Sequence, residues 1–288
     1  MSKCVRTTLF AGRIAALPAV ESRLTPTPGS AMISFHFNSL ASAIRDEAER
    51  STLSFLPNPG NWGAAFTAEA TRRFLSSNGI AYREIPSLNL VSLCRGMVRR
   101  ETLLVGGGGA WSNLYSGSHS LTARASRFFK QIVVLPSTFG TRVSLPNAQL
   151  WARDHFSSLK HAPKARFCHD LGFSMGHLDT KPPTDGIGQF FRSDLLAMPS
   201  SLPRVADLSS YGTQDSPLQP FLDKIARYEE VHTDRVHVAI VACLMGRRCH
   251  VWPTATSLLA DLFASSIAPY FPHAVFHGPL PSVQNQNS

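Results

Sequence analysis

The sequence predicts an α/β protein of two Rossmann-like lobes facing a central cleft. Three observations carry that expectation. Strand-length apolar stretches alternate with helix-length stretches of 3.6 periodicity, the pattern of parallel sheets covered on both faces. Glycine clusters follow two of the apolar stretches, at positions 60–63 and 106–109. Residues 231–246 read as a strand, a polar junction, a helix and a glycine stop, with residues 249–252 as the next strand.

The elements follow in order. Residues 1–31 are basic and rich in Ala, Pro and Thr, with no apolar core long enough for a signal peptide. A poorly ordered extension, or an upstream start codon, is expected there. The compact domain then begins near Met32. Residues 53–56 are a strand and 57–63 a turn-rich loop. In residues 64–75, Ala65, Phe66, Ala70 and Phe74 share a helical face. Residues 81–85 and 102–105 are strands, 120–130 a helix, and 131–135 a strand that Pro136 should stop. The division between lobes is expected near residues 145–149, giving an N-terminal lobe of 32–147 and a C-terminal lobe of 148–278. In the latter, 150–152, 166–169 and 189–192 read as strands. Residues 154–160, 219–228 and 257–265 read as helices, and 181–186 as a surface loop. Residues 279–288 are a polar tail expected to fray.

Composition narrows the function classes. A chain of 288 residues that is 43% hydrophobic and 16% charged can bury a core and is not globally disordered. Its formal charge of +9 points to anionic partners. The basic residues are scattered, in runs no longer than pairs such as Arg99-Arg100, and no nucleic-acid-binding signature accompanies them, so nucleic acid is not an expected partner. Five cysteines, odd in number and widely spaced, make no disulfide framework and suit a cytoplasmic protein. No apolar run reaches the roughly 20 residues of a membrane helix.

The chemistry concentrates after residue 231. In open α/β sheets, ligands bind outside the carboxyl ends of the strands, where helix N-termini favour anions. Arg235 supplies a fixed cation there. His237 supplies a proton carrier with a reference pKa of about 6.5. Asp234 either caps the helix or orients a neighbour. A small, multiply charged acid would suit the place. Gly60, Asn61 and Gly63 allow close backbone approach to a ligand, or else form a plain turn and helix start. Gly107 and Gly108 lie in a strand-to-glycine loop that exposes amides, without the dinucleotide fingerprint. Arg153 can bind a carboxylate or phosphate bidentately, or pair structurally with Asp170. The Arg192–Asp194 pair reads as structural first and acceptor-binding second. Cys168, His169 and Asp170 are strand neighbours pointing to alternate faces, so they form no triad. Cys243, Cys249 and His250 lack zinc-ligand spacing, and no metal is expected.

In this order the motifs resemble those of the polysaccharide pyruvyl transferase family. The resemblance rests on D-R-x-H at Asp234 to His237, G-N-x-G at Gly60 to Gly63, and the glycine cluster after residues 103–105. A strand-to-Pro136 step, the Arg153-Asp154 pair and R-x-D at Arg192 to Asp194 complete it. It runs from about residue 53 to 252. Ala64 stands where the family carries an acid. The resemblance implies a GT-B-like architecture and transfer of the enolpyruvyl part of phosphoenolpyruvate to a sugar. The acceptor would be an exopolysaccharide or lipid-linked oligosaccharide, and the product a pyruvate ketal. Phosphoenolpyruvate is then the donor substrate and no cofactor is needed. The protein would work at the cytoplasmic face of a membrane, with peripheral association. The implied catalytic residues are His237, Arg235 and Asp234. The implied substrate-binding residues are Arg153, Gly60, Asn61, Gly63, Gly107, Gly108 and Asp194. Two alternatives stand beside it: a glycosyltransferase of the same architecture using a nucleotide sugar, and an inactive relative, suggested by Ala64.

Overall fold

The computed structural model describes residues 28–111, 117–145, 147–194 and 207–281. The expected extension therefore lies outside the described residues up to position 27, and the tail does so from position 282. Residues 28–31 are not an extension: they open helix α1 (Pro28–Arg50). That helix buries Leu40, Ala41, Ile44 and Glu47, an i, i+1, i+4, i+7 stripe.

Seven parallel strands form the first sheet. They are β1 (Leu53–Leu56), β2 (Arg83–Glu84), β3 (Thr102–Val105), β4 (Gly108–Trp111), β5 (Gln131–Phe139), β6 (Ala148–Ala152) and β7 (Arg166–Phe167). Their order is β2-β1-β3-β5-β6-β7, with β4 paired to the far half of β5. Alternate residues face opposite cores, as a pleat requires. Phe55, Leu104 and Val133 pack beneath α1 and α2 (Trp62–Ser77). Leu56, Leu103 and Val134 face the other way, where Leu93, Leu121 and Leu159 cover them. Those three belong to α3 (Leu90–Arg99), α4 (Gly117–Ala125) and α5 (Ser157–His161).

Two expectations change here. Pro136 does not end its strand, because β5 exchanges partners at that point. Gln131 to Val134 pair with β3, and Ser137 pairs with Gly108 of β4. Proline falls at the changeover, where no ladder N–H is required. The sheet also continues past the expected division at residue 147. Both β6 and β7 hydrogen-bond into it.

The second sheet is parallel too, in the order β11-β10-β9-β8. Its strands are β8 (Asp185–Phe190), β9 (Tyr228–Thr233), β10 (Arg248–Val251) and β11 (Ala274–Phe276). Val231, Cys249 and Val251 share a core with α6 (Gln219–Ala226) and α7 (Val236–Leu244). Glu230, His232 and His250 lie on the opposite face. Helix α2 joins the two cores: Ala65 and Phe66 pack in the second, Ala70 and Phe74 in the first.

After α8 (Leu258–Leu262) the helix widens into one π turn, Phe263–Ile267. It directs Ser265 and Ser266 at the first sheet. Ser265 Oγ accepts the His155 N–H at 3.0 Å, and Ser266 Oγ bonds His169 Nδ1 at 2.8 Å. Ser157 donates to Asp261 beside them. Burial, with His36 and His155 nearby, pushes the His169 pKa down to about 3 and keeps that ring neutral. Among the described residues no helix is long and apolar enough to cross a membrane.

Candidate active site

The carboxyl ends of β6, β7 and β9 meet around His237, the second residue of α7. Thr67 Oγ donates its own proton to Gly63 O at 3.0 Å, one turn back along α2. It can therefore only accept from His237 Nε2, also at 3.0 Å. That fixes the neutral tautomer: the proton sits on Nε2, and Nδ1 is the free base. Nδ1 lies over Gly63, where any Cβ would collide with it. Here glycine leaves room for an imidazole.

Nε2 also lies 3.8 Å from Asp170 Oδ2. Asp170 is fully buried. Its Oδ1 accepts the Gly172 N–H at 2.8 Å, and its Oδ2 accepts from Arg153 at 2.5 Å. Burial alone would raise this carboxyl. The nearby His237 ring, the Arg153 charge and the Gly172 amide override it and hold Asp170 well below the usual carboxylate range. Arg153 Nε donates to Thr138 at 2.7 Å. Its remaining terminal nitrogen points at Gly109, 3.4 Å from where a Cβ would sit. Of the two uses expected for Arg153, the structural pair with Asp170 is the one observed. One nitrogen still faces the glycine loop.

Asp234 and Arg235 go elsewhere. Asp234 does not cap α7. It accepts the Arg192 N–H at 2.7 Å, and burial raises its pKa. Among the described residues no side chain caps α7; its N-cap residue is Arg235, whose own N–H goes to Thr233 Oγ1 at 3.0 Å. The Arg235 guanidinium forks onto Asp207, through Nε at 3.0 Å and through its second terminal nitrogen. It also meets Asp194 at 3.0 Å. Asp194 in turn takes both prongs of Arg192, at 2.7 and 3.0 Å. Arg235, Asp207, Asp194 and Arg192 thus form a closed ionic cluster, with every guanidinium nitrogen of Arg235 already on a carboxylate.

The glycine motifs serve packing and capping. Asn61 is the N-cap of α2, accepting the Gly63 N–H at 2.9 Å. Gly60 exchanges backbone and side-chain bonds with Gln214, at 2.9 and 3.0 Å. Gly107 sits where a Cβ would strike Pro136 O, and Gly108 has a φ of +120°. A backbone oxygen in mid-strand cannot step aside. Gly107→Ala should therefore lose about 1–3 kcal/mol of stability in urea unfolding, whereas an unchanged midpoint would mean that the loop relaxes.

Thr67 and Asp207 have no counterpart in the expected site. Thr67 lies one helical turn after Gly63, a spacing that could have found it. Asp207 lies in a loop without periodicity. Cys168, His169 and Asp170 form no triad: His169 bonds Ser266, and Cys168 is buried against α1, its thiol pushed up by burial. Glu230, His232 and His250 gather on the opposite face of the second sheet, their ligand atoms within 4.8 Å of one another. Both His232 nitrogens are engaged, with Glu230 at 2.7 Å and Trp252 at 3.4 Å.

No known family profile matches this chain, and no curated protein does. Its fold is that of a crystal structure of an uncharacterized protein from Klebsiella pneumoniae subsp. pneumoniae NTUH-K2044. That protein is 21% identical, with a TM-score of 0.70 over 86% of this chain and 99% of the other. At that identity the likeness is one of fold alone.

Proposed function

We propose that the chain is a phosphoenolpyruvate-dependent, ketal-forming pyruvyl transferase. Its acceptor is a sugar of an exopolysaccharide or lipid-linked oligosaccharide, at the cytoplasmic face of a membrane. The two sheets act as the lobes of a GT-B-like cleft. One observation carries the reading: His237, with a fixed tautomer, stands between Gly63 of one motif and the Arg153–Asp170 pair of another. Three separated segments of the sequence resemblance thus share one site.

The buried Asp170 carboxylate stands 3.8 Å from Nε2 of His237, which leaves Nδ1 for the substrate. In its doubly protonated form the ring gives its Nδ1 proton to the methylene carbon of the enol phosphate. A sugar hydroxyl adds to the adjacent carbon and returns a proton to Nδ1. The carbon–oxygen bond to phosphate then breaks, phosphate leaves with the electron pair, and a second hydroxyl closes the ketal, passing its proton to the departing phosphate. The first-turn amides of α7 and the free Arg153 nitrogen are the donors for the anionic groups. Arg235 is assigned to hold the neighbouring loop through Asp207 and not to grip the donor.

Phosphate release from phosphoenolpyruvate, measured across a panel of glycosides and lipid-linked sugars, tests this. Release with at least one acceptor is expected. Thermal stabilisation by a nucleoside diphosphate, with no release from any acceptor, would favour the glycosyltransferase alternative.

A further inference from the structure

Helix α3 faces the wrong way for its composition. Its fully buried residues are small, Ser92 and Gly96, with Leu93 half-buried beside them on the core. Gly96 presses so close to the Phe129 ring that a Cβ there would meet it at 2.6 Å. The outward side carries Leu90, Val91, Met97 and Val98, which are 74, 76, 52 and 77% exposed. Exposed Cys94 lies between them. Their spacing of i, i+1, i+4, i+7 and i+8 makes one continuous stripe along the helix. Apolar side chains scattered singly over a surface need no explanation; a contiguous helical stripe marks a partner.

The charges beside the stripe say which partner. Arg99 and Arg100 are exposed at its C-terminal end, and neither guanidinium has a carboxylate partner among the described residues. The helix contains no acidic residue, so a second copy of this face brings nothing to receive them. An anionic bilayer offers both what the stripe needs and what the arginines need. We propose that α3 docks the protein on an anionic lipid surface, its apolar stripe at the acyl boundary and its arginines on the headgroup phosphates. This stands on the exposed helix alone. It goes beyond the transfer reaction, and a phosphate-release assay on soluble acceptors succeeds or fails independently of it.

Co-sedimentation of the full chain with vesicles tests the proposal. One set is phosphatidylcholine alone, and the other contains about 30% phosphatidylglycerol, a charge density at which each basic residue contributes measurably. Binding to the anionic set is expected, weakening as salt rises. Val91→Glu/Val98→Glu should lower the bound fraction roughly tenfold or more, with circular dichroism and melting unchanged because both side chains point to solvent. Arg99→Glu/Arg100→Glu should abolish the preference for the anionic set. The proposal is overturned if the parent protein stays in the supernatant with both vesicles, or if the Val91→Glu/Val98→Glu variant binds as well as the parent. It is equally overturned if the parent is a dimer that this variant dissociates, since the stripe would then be an interface between copies.

Discussion

His237→Ala is expected to lower phosphate release from phosphoenolpyruvate by about 10² to 10⁴, the usual contribution of a positioned acid–base group. The fold should survive. The ring is partly exposed, and its main bond is to Thr67, whose own proton goes to Gly63 with or without the imidazole. Melting within a few degrees of the parent is therefore the expected control. A variant that folds and releases phosphate at near-parental rates would remove His237 from the chemistry. His237→Gln keeps a donor toward Thr67 but cannot carry a proton at Nδ1, so it should fail as completely as alanine.

Asp170→Ala should cost roughly 3–5 kcal/mol, the usual penalty for stripping one partner from a buried ion pair. Arg153 is itself 4% exposed and would be left with a buried, uncompensated charge. Arg153→Met/Asp170→Leu, which removes both charges, should recover much of that loss. The sign of the pH dependence follows from the lowered pKa of Asp170. Its stabilising contribution is complete above the unfolded-chain value of about 3.9 and is lost as pH falls from there toward the lower folded value. Urea unfolding between pH 5 and pH 2.5 checks it (a window of about that width brackets the unfolded value). The parent should lose stability steeply in that window, and the double variant less so. Equal slopes would show that another carboxylate carries the acid sensitivity.

Much of the fold was legible because strands of parallel sheets are near-continuous apolar runs. Residues 53–56 and 102–105 coincide with β1 and β3, and the 231–252 unit resolves into β9, α7 and β10. What escaped has physical causes. The stripe of α1 at Leu40, Ala41 and Ile44 was present but interrupted by polar and aromatic residues. Helix α3 carries an apolar stripe that points outward, so periodicity could not have given its orientation. The limit of the first sheet depended on pairings of β6 and β7 that are long-range and leave no local signature. At the site, residue types and order brought Gly63, Arg153 and His237 to one place. The partners of Arg235 could not be read, because Asp207 approaches from a loop 28 residues upstream.

The widened helical turn at Phe263–Ile267 has a mechanical consequence. Its two serines reach the loops after β6 and β7, while α2 contributes to both cores and Thr67 bonds His237. Prising the sheets apart would rupture these polar sutures and shear a shared helix at once. The halves are therefore tied to travel as one block.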